Sequence, residues 1–166
     1  MEYLISSLFL FLAMKLPLKD YLFVAVQFIL FAIYLLNVSL FPFQTPKYIS
    51  YSGLTLSGLG ILIGALALLQ LNNNLSPFPS PKTNSELIKT GLYKFIRHPI
   101  YTGILLMLFG YGIFQGSSYK IGITLMLHIL FYLKSSYEEV KLEAKYPGYS
   151  EYKKTSGRFL PRFYLS

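Results

Sequence analysis

Apolar residues in this chain come in long unbroken runs, not in strand-like alternation or the spaced stripe of a surface helix. Four runs, at about 21–41, 51–71, 100–114 and 119–133, each come near the length that crosses a bilayer as a helix. A weaker fifth, 3–18, is interrupted by Lys15 and Pro17. It starts with Glu2 and no Lys or Arg, and no small-x-small cleavage site follows, so it reads as a retained helix and not a signal peptide. The pattern predicts an all-α integral membrane protein, with five transmembrane helices in one domain over 1–166.

The polar connections add detail. Residues 41–50 carry Pro42 and Pro46 and read as a short outer loop. Residues 72–90 open with three asparagines and place Pro77, Pro79 and Pro81 at alternate positions, which excludes helix and favours an extended strap. A connection of that length predicts an ordered lid over the mouth of the bundle. No helix breaker follows residue 119 until Tyr146-Pro147-Gly148. The last helix should therefore run about 40 Å and leave the membrane as a cytoplasmic extension, followed by a C-terminal tail. Gly53, Ser57, Gly60 and Gly64 share one helical face, which lets a second helix approach closely. Gly58-x-Gly60-x-x-x-Gly64 approximates a dinucleotide fingerprint, but no strand precedes it.

Composition agrees with lipid as the solvent: 54% of residues are hydrophobic and 13% charged. The net charge of +8 would suit nucleic acid, but the basic residues flank the apolar runs. An outside N-terminus puts thirteen of the fifteen Lys and Arg in the cytoplasm and leaves only Lys47 and Lys120 outside. That partition predicts a multi-pass protein whose site faces the cytoplasm. Without cysteine there is no disulfide frame, thiolate nucleophile or thiolate metal site. His98 and His128 form no metal set with any acid at ligand spacing, so no metal is expected.

Two polar clusters stand at cytoplasmic helix ends. The first, Gly91 to Gly103, sets Tyr93, Arg97, His98 and Tyr101 where the chain enters an apolar run. Polar groups at such a position are expensive unless they bind something. The second comprises Glu138 and Glu139 at the exit of the last span, then Tyr149, Glu151, Tyr152 and Arg158. Each has a plainer reading. Arg97 and Lys94 would serve as positive-inside anchors, the glutamates as a solvated face paired with Lys134, Lys141 or Lys145, and Tyr149 and Tyr152 as interfacial belt residues. His128, alone in mid-span, reads as an interhelical hydrogen-bond partner.

Arg97-His98-Pro99-x-Tyr101-x-Gly103 preceded by Gly91-x-Tyr93, with Glu138-Glu139 and then Gly157-Arg158-Phe159-Leu160-Pro161, resembles the isoprenylcysteine carboxyl methyltransferase and phospholipid N-methyltransferase superfamily. The likeness covers residues 72–162. It implies S-adenosylmethionine-dependent methyl transfer to an amphiphilic, lipid-soluble or prenylated acceptor reached from the bilayer, with no nucleic acid involved. By that resemblance Tyr93, Arg97, His98, Tyr101, Gly103, Glu138 and Glu139 bind the cofactor, and Arg158 and Glu151 act at the acceptor. The residue types suit the ligand. Carboxylates meet an ammonium or ribose, Arg97 or His98 a carboxylate, and aromatic faces a sulfonium or adenine. Sterol and steroid reductases share an Arg-His-Pro-x-Tyr-x-Gly segment but use NADPH, and a non-catalytic membrane protein is a third alternative.

Overall fold

The computed structural model describes residues 16–36, 38 and 42–162. Among them, five α-helices follow in order: α1 (Leu18–Leu35), α2 (Lys47–Leu71), α3 (Pro99–Phe114), α4 (Ser118–Lys145) and the short α5 (Tyr149–Thr155). Single 3-10 turns stand at Asn72–Asn74 and Gly91–Lys94. Extended pairing among the described residues is limited to two isolated bridges, Pro42 with Ser117 and Ile96 with Gly157.

Prolines set three helix starts. Pro17 and Pro46 directly precede α1 and α2, and Pro99 is the first residue of α3, where a missing N–H leaves no bond unmade. Two starts therefore fall earlier than the apolar pattern implied, at Leu18 and Lys47. The expected run 3–18 lies outside the described residues except at its end, where Leu18 opens α1 instead. α1 stops at Leu35, with Leu36 extended (φ −67°, ψ 135°), short of the expected residue 41. Side chains from α4 meet its last turn: Tyr119 Oη donates to Ile33 O at 2.7 Å and Lys120 Nζ to Tyr34 O at 3.0 Å. They supply the donors that helix-end carbonyls need. α4 runs to Lys145 as its unbroken pattern implied, and Tyr146-Pro147-Gly148 follows.

The four long helices run alternately up and down. Asp20 at the start of α1 meets Lys141 late in α4, and Tyr34 near the end of α1 meets Lys120 early in α4. Ser50 at the start of α2 donates to the carbonyl of Phe114 at the end of α3. α2 and α3 pack backbone to backbone: a Cβ on Gly103 would stand 2.6 Å from the Gly64 nitrogen and 2.8 Å from the Gly60 oxygen. Only glycine allows that approach, the use of small residues expected where no hydrophobic force joins helices. The core centres on Leu108, Ile123, Leu127, Leu130 and Phe131. Outside it, Phe28, Ile29, Leu59, Ile61, Leu125 and Ile129 are exposed. An apolar exterior around helices with internally satisfied backbones is what lipid demands. α1 and α2 are each long and apolar enough to span.

One end of this bundle collects the start of α1, the end of α2, the start of α3 and the distal part of α4. The strap of residues 75–90, with no helix, crosses the same end.

Candidate functional site

Local structure delivers the first cluster to that end. Gly91 takes a left-handed backbone (φ +58°) with the Gln70 amide packed against it, and Gln70 Oε1 accepts from Leu92 N at 2.9 Å. A side chain at Gly91 would be strained by φ and blocked by Gln70. The next residues run beside the tail: Arg97 N donates to Gly157 O at 2.8 Å, His98 N to Arg158 O at 3.1 Å, and Gly157 N to Phe95 O at 2.9 Å. Thr102 Oγ1 adds a 2.7 Å bond to Phe159 O. The Arg-His-Pro segment and the Gly-Arg-Phe tail, some sixty residues apart in sequence, thus form one clamped unit.

Glu139 ties this unit to α4. Its Oε1 accepts from Arg97 Nε at 2.9 Å and lies 3.2 Å from His98 Nε2, while Oε2 accepts from Arg158 Nη2 at 3.2 Å and sits 3.5 Å from Lys153 Nζ. The side chain is 1% exposed. Burial alone would raise its pKa, but hydrogen bonds and charge from His98 and Arg97 outweigh it and hold the carboxyl down at about 2. Arg97 also donates through Nη1 to the carbonyls of Lys153 and Ser156. Arg158 reaches Ser136 Oγ at 2.7 Å and stacks on Tyr132 with Cζ 4.6 Å from the ring centroid.

Glu138, one residue earlier, faces different surroundings. It lines a cavity of about 300 Å³ between the strap and the helix ends, walled by Pro77, Pro79, Tyr93, His98, Tyr101 and Tyr149 among others. Its Oε2 accepts from Tyr101 Oη at 3.2 Å and lies 3.8 Å from His98 Nδ1. Among the described residues no Lys or Arg stands within ion-pair distance of it. Burial pushes its carboxyl above the ordinary value, against the pull of His98, Lys134 and Tyr101. The aromatic wall is ordered: Tyr101 stacks on His98 (centroids 5.5 Å, 6°) and on Phe131 (4.5 Å, 13°). A buried carboxyl with no Lys or Arg at ion-pair distance, beside aromatic rings that already carry Lys134 Nζ 5.5 Å over Tyr101, offers a setting suited to a cation.

The strap closes the cavity and is tied from several sides. Fully buried Asp20 accepts from Ser80 N at 3.0 Å and pairs with Lys141 at 3.3 Å, while Lys141 also meets Ser80 Oγ. Lys134 Nζ donates to Gln27 Oε1 at 2.6 Å and Pro77 O at 2.9 Å. Lys145 donates to the carbonyls of Lys82 and Thr83, and Tyr146 Oη to Ser85 O at 2.6 Å.

Tyr93, Arg97, His98, Tyr101 and Glu138 therefore share one cavity, with Glu139 and Arg158 knitted behind it. Gly103 belongs to the α2–α3 crossing and does not line the cavity. Glu151 stands apart, 76% exposed and paired with Lys154 at 2.8 Å. His128 is exposed and hydrogen-bonds to no other helix among the described residues; its ring lies 5.7 Å from Phe159. Lys134, Asp20 and the deeply buried Tyr149 and Tyr152 were not among the expected site residues. A lysine and an aspartate close to apolar runs were the available signal for the first two.

The pattern of the family described as phospholipid methyltransferase matches residues 48–148, which hold α2 to α4, the strap and both glutamates. No curated protein matches the chain in sequence. Among solved structures it is similar to the eukaryotic intramembrane Ras methyltransferase ICMT (isoprenylcysteine carboxyl methyltransferase), at 20% identity and a TM-score of 0.59. The likeness, one of fold, covers 89% of this chain and 54% of that one, so the chain spans about half that structure's length.

Proposed function

The chain belongs to the phospholipid methyltransferase family, and on that premise we propose that it transfers a methyl group from S-adenosylmethionine to an amphiphilic acceptor drawn from the bilayer. The observation that carries the reading is Glu138, a carboxylate without a Lys or Arg partner in an aromatic cavity. S-adenosylmethionine carries an ammonium and a sulfonium, and a cavity of about 300 Å³ lies at the lower end of the usual range for ligand sites. The residues fit the group. Bound there, it would supply an electrophilic methyl on a sulfonium leaving group.

In this reading Glu138 meets the donor's cationic end, with the Tyr101 hydroxyl and the His98 ring beside it. Glu139 keeps Arg97, His98 and Arg158 in place. The strap excludes water, and the helix ends hold the reactants in line, which is most of what a displacement needs from a protein. Arg158 takes the acceptor side, together with His128 and Tyr132 on the exposed face of α4. Phe159 adjoins both sides, its ring within 6.4 Å of the His98, Tyr101 and His128 rings. Glu151 is exposed, paired with Lys154 and absent from the cavity wall, so this reading gives the acceptor role to Arg158. The charge partition along the chain supports five membrane helices, an outside N-terminus and a cytoplasmic site.

Calorimetry in detergent with S-adenosylmethionine and with NADPH tests the reading, alongside transfer of labelled methyl into bilayer lipid. Binding of the sulfonium donor and none of NADPH is expected. NADPH binding without donor binding would overturn it.

A further inference from the structure

Five tyrosines line the cavity, and four of them have a hydrogen bond. Tyr93 Oη donates to Ala67 O at 3.4 Å, Tyr101 to Glu138 at 3.2 Å, Tyr146 to Ser85 O at 2.6 Å and Tyr152 to Tyr93 O at 2.5 Å. Tyr149 is the exception. It is 1% exposed, and among the described residues its Oη is the buried side-chain atom that has no partner. A phenol is rarely buried without a bond, because its hydroxyl forfeits water and gains nothing in return. The same cavity offers a second unused donor. Arg97 spends Nε on Glu139 and Nη1 on two carbonyls, while Nη2 has no partner among the described residues.

We infer that Tyr149 Oη and Arg97 Nη2 together bind the carboxylate at the amino-acid end of the methyl donor, an assignment that rests on the reading of the cavity as a donor site. Two N–H or O–H donors on the wall of one cavity match a carboxylate's two oxygens. Burial raises the Tyr149 pKa, so its proton is retained and available to donate. Glu138 takes the opposite charge, so the cavity distinguishes the two charges of one zwitterion. Tyr149 is then a ligand-contact residue, neither a belt residue at the interface nor a packing element.

The test compares wild type with Tyr149→Phe, using S-adenosylmethionine and its decarboxylated analogue as probes in detergent calorimetry, with thermal midpoints of the unliganded proteins. Tyr149→Phe is expected to weaken the full donor on the order of ten- to a hundredfold, the loss of one charge-assisted bond, and the decarboxylated analogue by less than twofold. The unliganded midpoint should hold or rise, because the change removes an unsatisfied hydroxyl. Equal losses for both probes would move the contact elsewhere on the donor and overturn the assignment, as would unchanged affinity for the full donor. A lowered unliganded midpoint would make the hydroxyl structural and overturn it too. Failure of wild type to bind the donor at all would instead remove the donor-site reading, and the assignment with it.

Discussion

Glu138 and Glu139 are neighbours on α4, yet they face regions built on opposite principles. Around Glu139 cations are plentiful: two arginines, a lysine and a histidine converge on a carboxylate that is 1% exposed. Around Glu138 no Lys or Arg stands at ion-pair distance among the described residues, and its near polar partners are a tyrosine hydroxyl at 3.2 Å and the His98 ring nitrogen at 3.8 Å. The first region has the composition of a structural joint, its carboxylate held by hydrogen bonds on both oxygens. The second keeps a buried carboxyl without a Lys or Arg partner, which weakens the unliganded fold and, in the proposed reading, would be relieved by a bound cation. A paired-acid motif at a helix exit thus divides its labour by direction, one acid inward to the tail clamp and one toward the cavity.

The largest expected effect breaks the Glu139 side. Glu139→Ala leaves Arg97 and Arg158 without their buried counter-charge and should cost about 3–5 kcal/mol of stability in detergent. Glu139→Gln should cost less, because it keeps shape and an acceptor. A wild-type thermal midpoint in both variants would erase the distinction between the two regions.

Acid should separate the two glutamates by sign. Glu139, depressed to about 2 from an ordinary 4.5, contributes stability that is complete above 4.5 and lost as pH falls through about 2. Glu138, raised above 4.5, acts in reverse. Its protonated form stabilises the fold below the ordinary value, and that contribution is lost as pH rises through its raised value. Stability should therefore climb on mild acidification from neutral and fall in strong acid. Glu138→Gln should abolish the climb and leave the fall, read from thermal midpoints across pH. A climb that survives the substitution would belong to another group.

The smallest effect concerns the strap over the Glu138 side. Asp20→Asn weakens the acceptor for Ser80 N and the pair with Lys141, and should cost about 1 kcal/mol. Hydrogen exchange at residues 76–85 should quicken, with little change around Glu139. Equal quickening at both would mean that the two regions open together.

Much of the frame was legible from the chain. Alternate prolines marked the strap, glycine spacing marked the α2–α3 crossing, and the absence of breakers after residue 119 marked the full length of α4. Boundaries slipped where a distant side chain decides them, as at Leu35, whose preceding carbonyls are taken by Tyr119 and Lys120. The site segment and both glutamates were visible as residue types, but their division was not. Consecutive helix positions differ by about 100° in direction, and nothing local says which one meets the tail. The pairing of Phe95–His98 with Gly157–Arg158 joins segments about sixty residues apart and leaves no periodic trace. Gly103 sits inside the Arg-His-Pro signature, so its packing role against Gly60 and Gly64 was hidden by the motif around it.

The central claim is that Glu138, and not Glu139, supplies the charge that holds the methyl donor. Calorimetric titration of Glu138→Gln with S-adenosylmethionine tests it most directly. The account predicts affinity weakened on the order of ten- to a hundredfold, in a protein whose unliganded thermal midpoint at neutral pH is unchanged or higher. Wild-type affinity in that variant, or a loss of affinity matched by a fall in the midpoint, would contradict it.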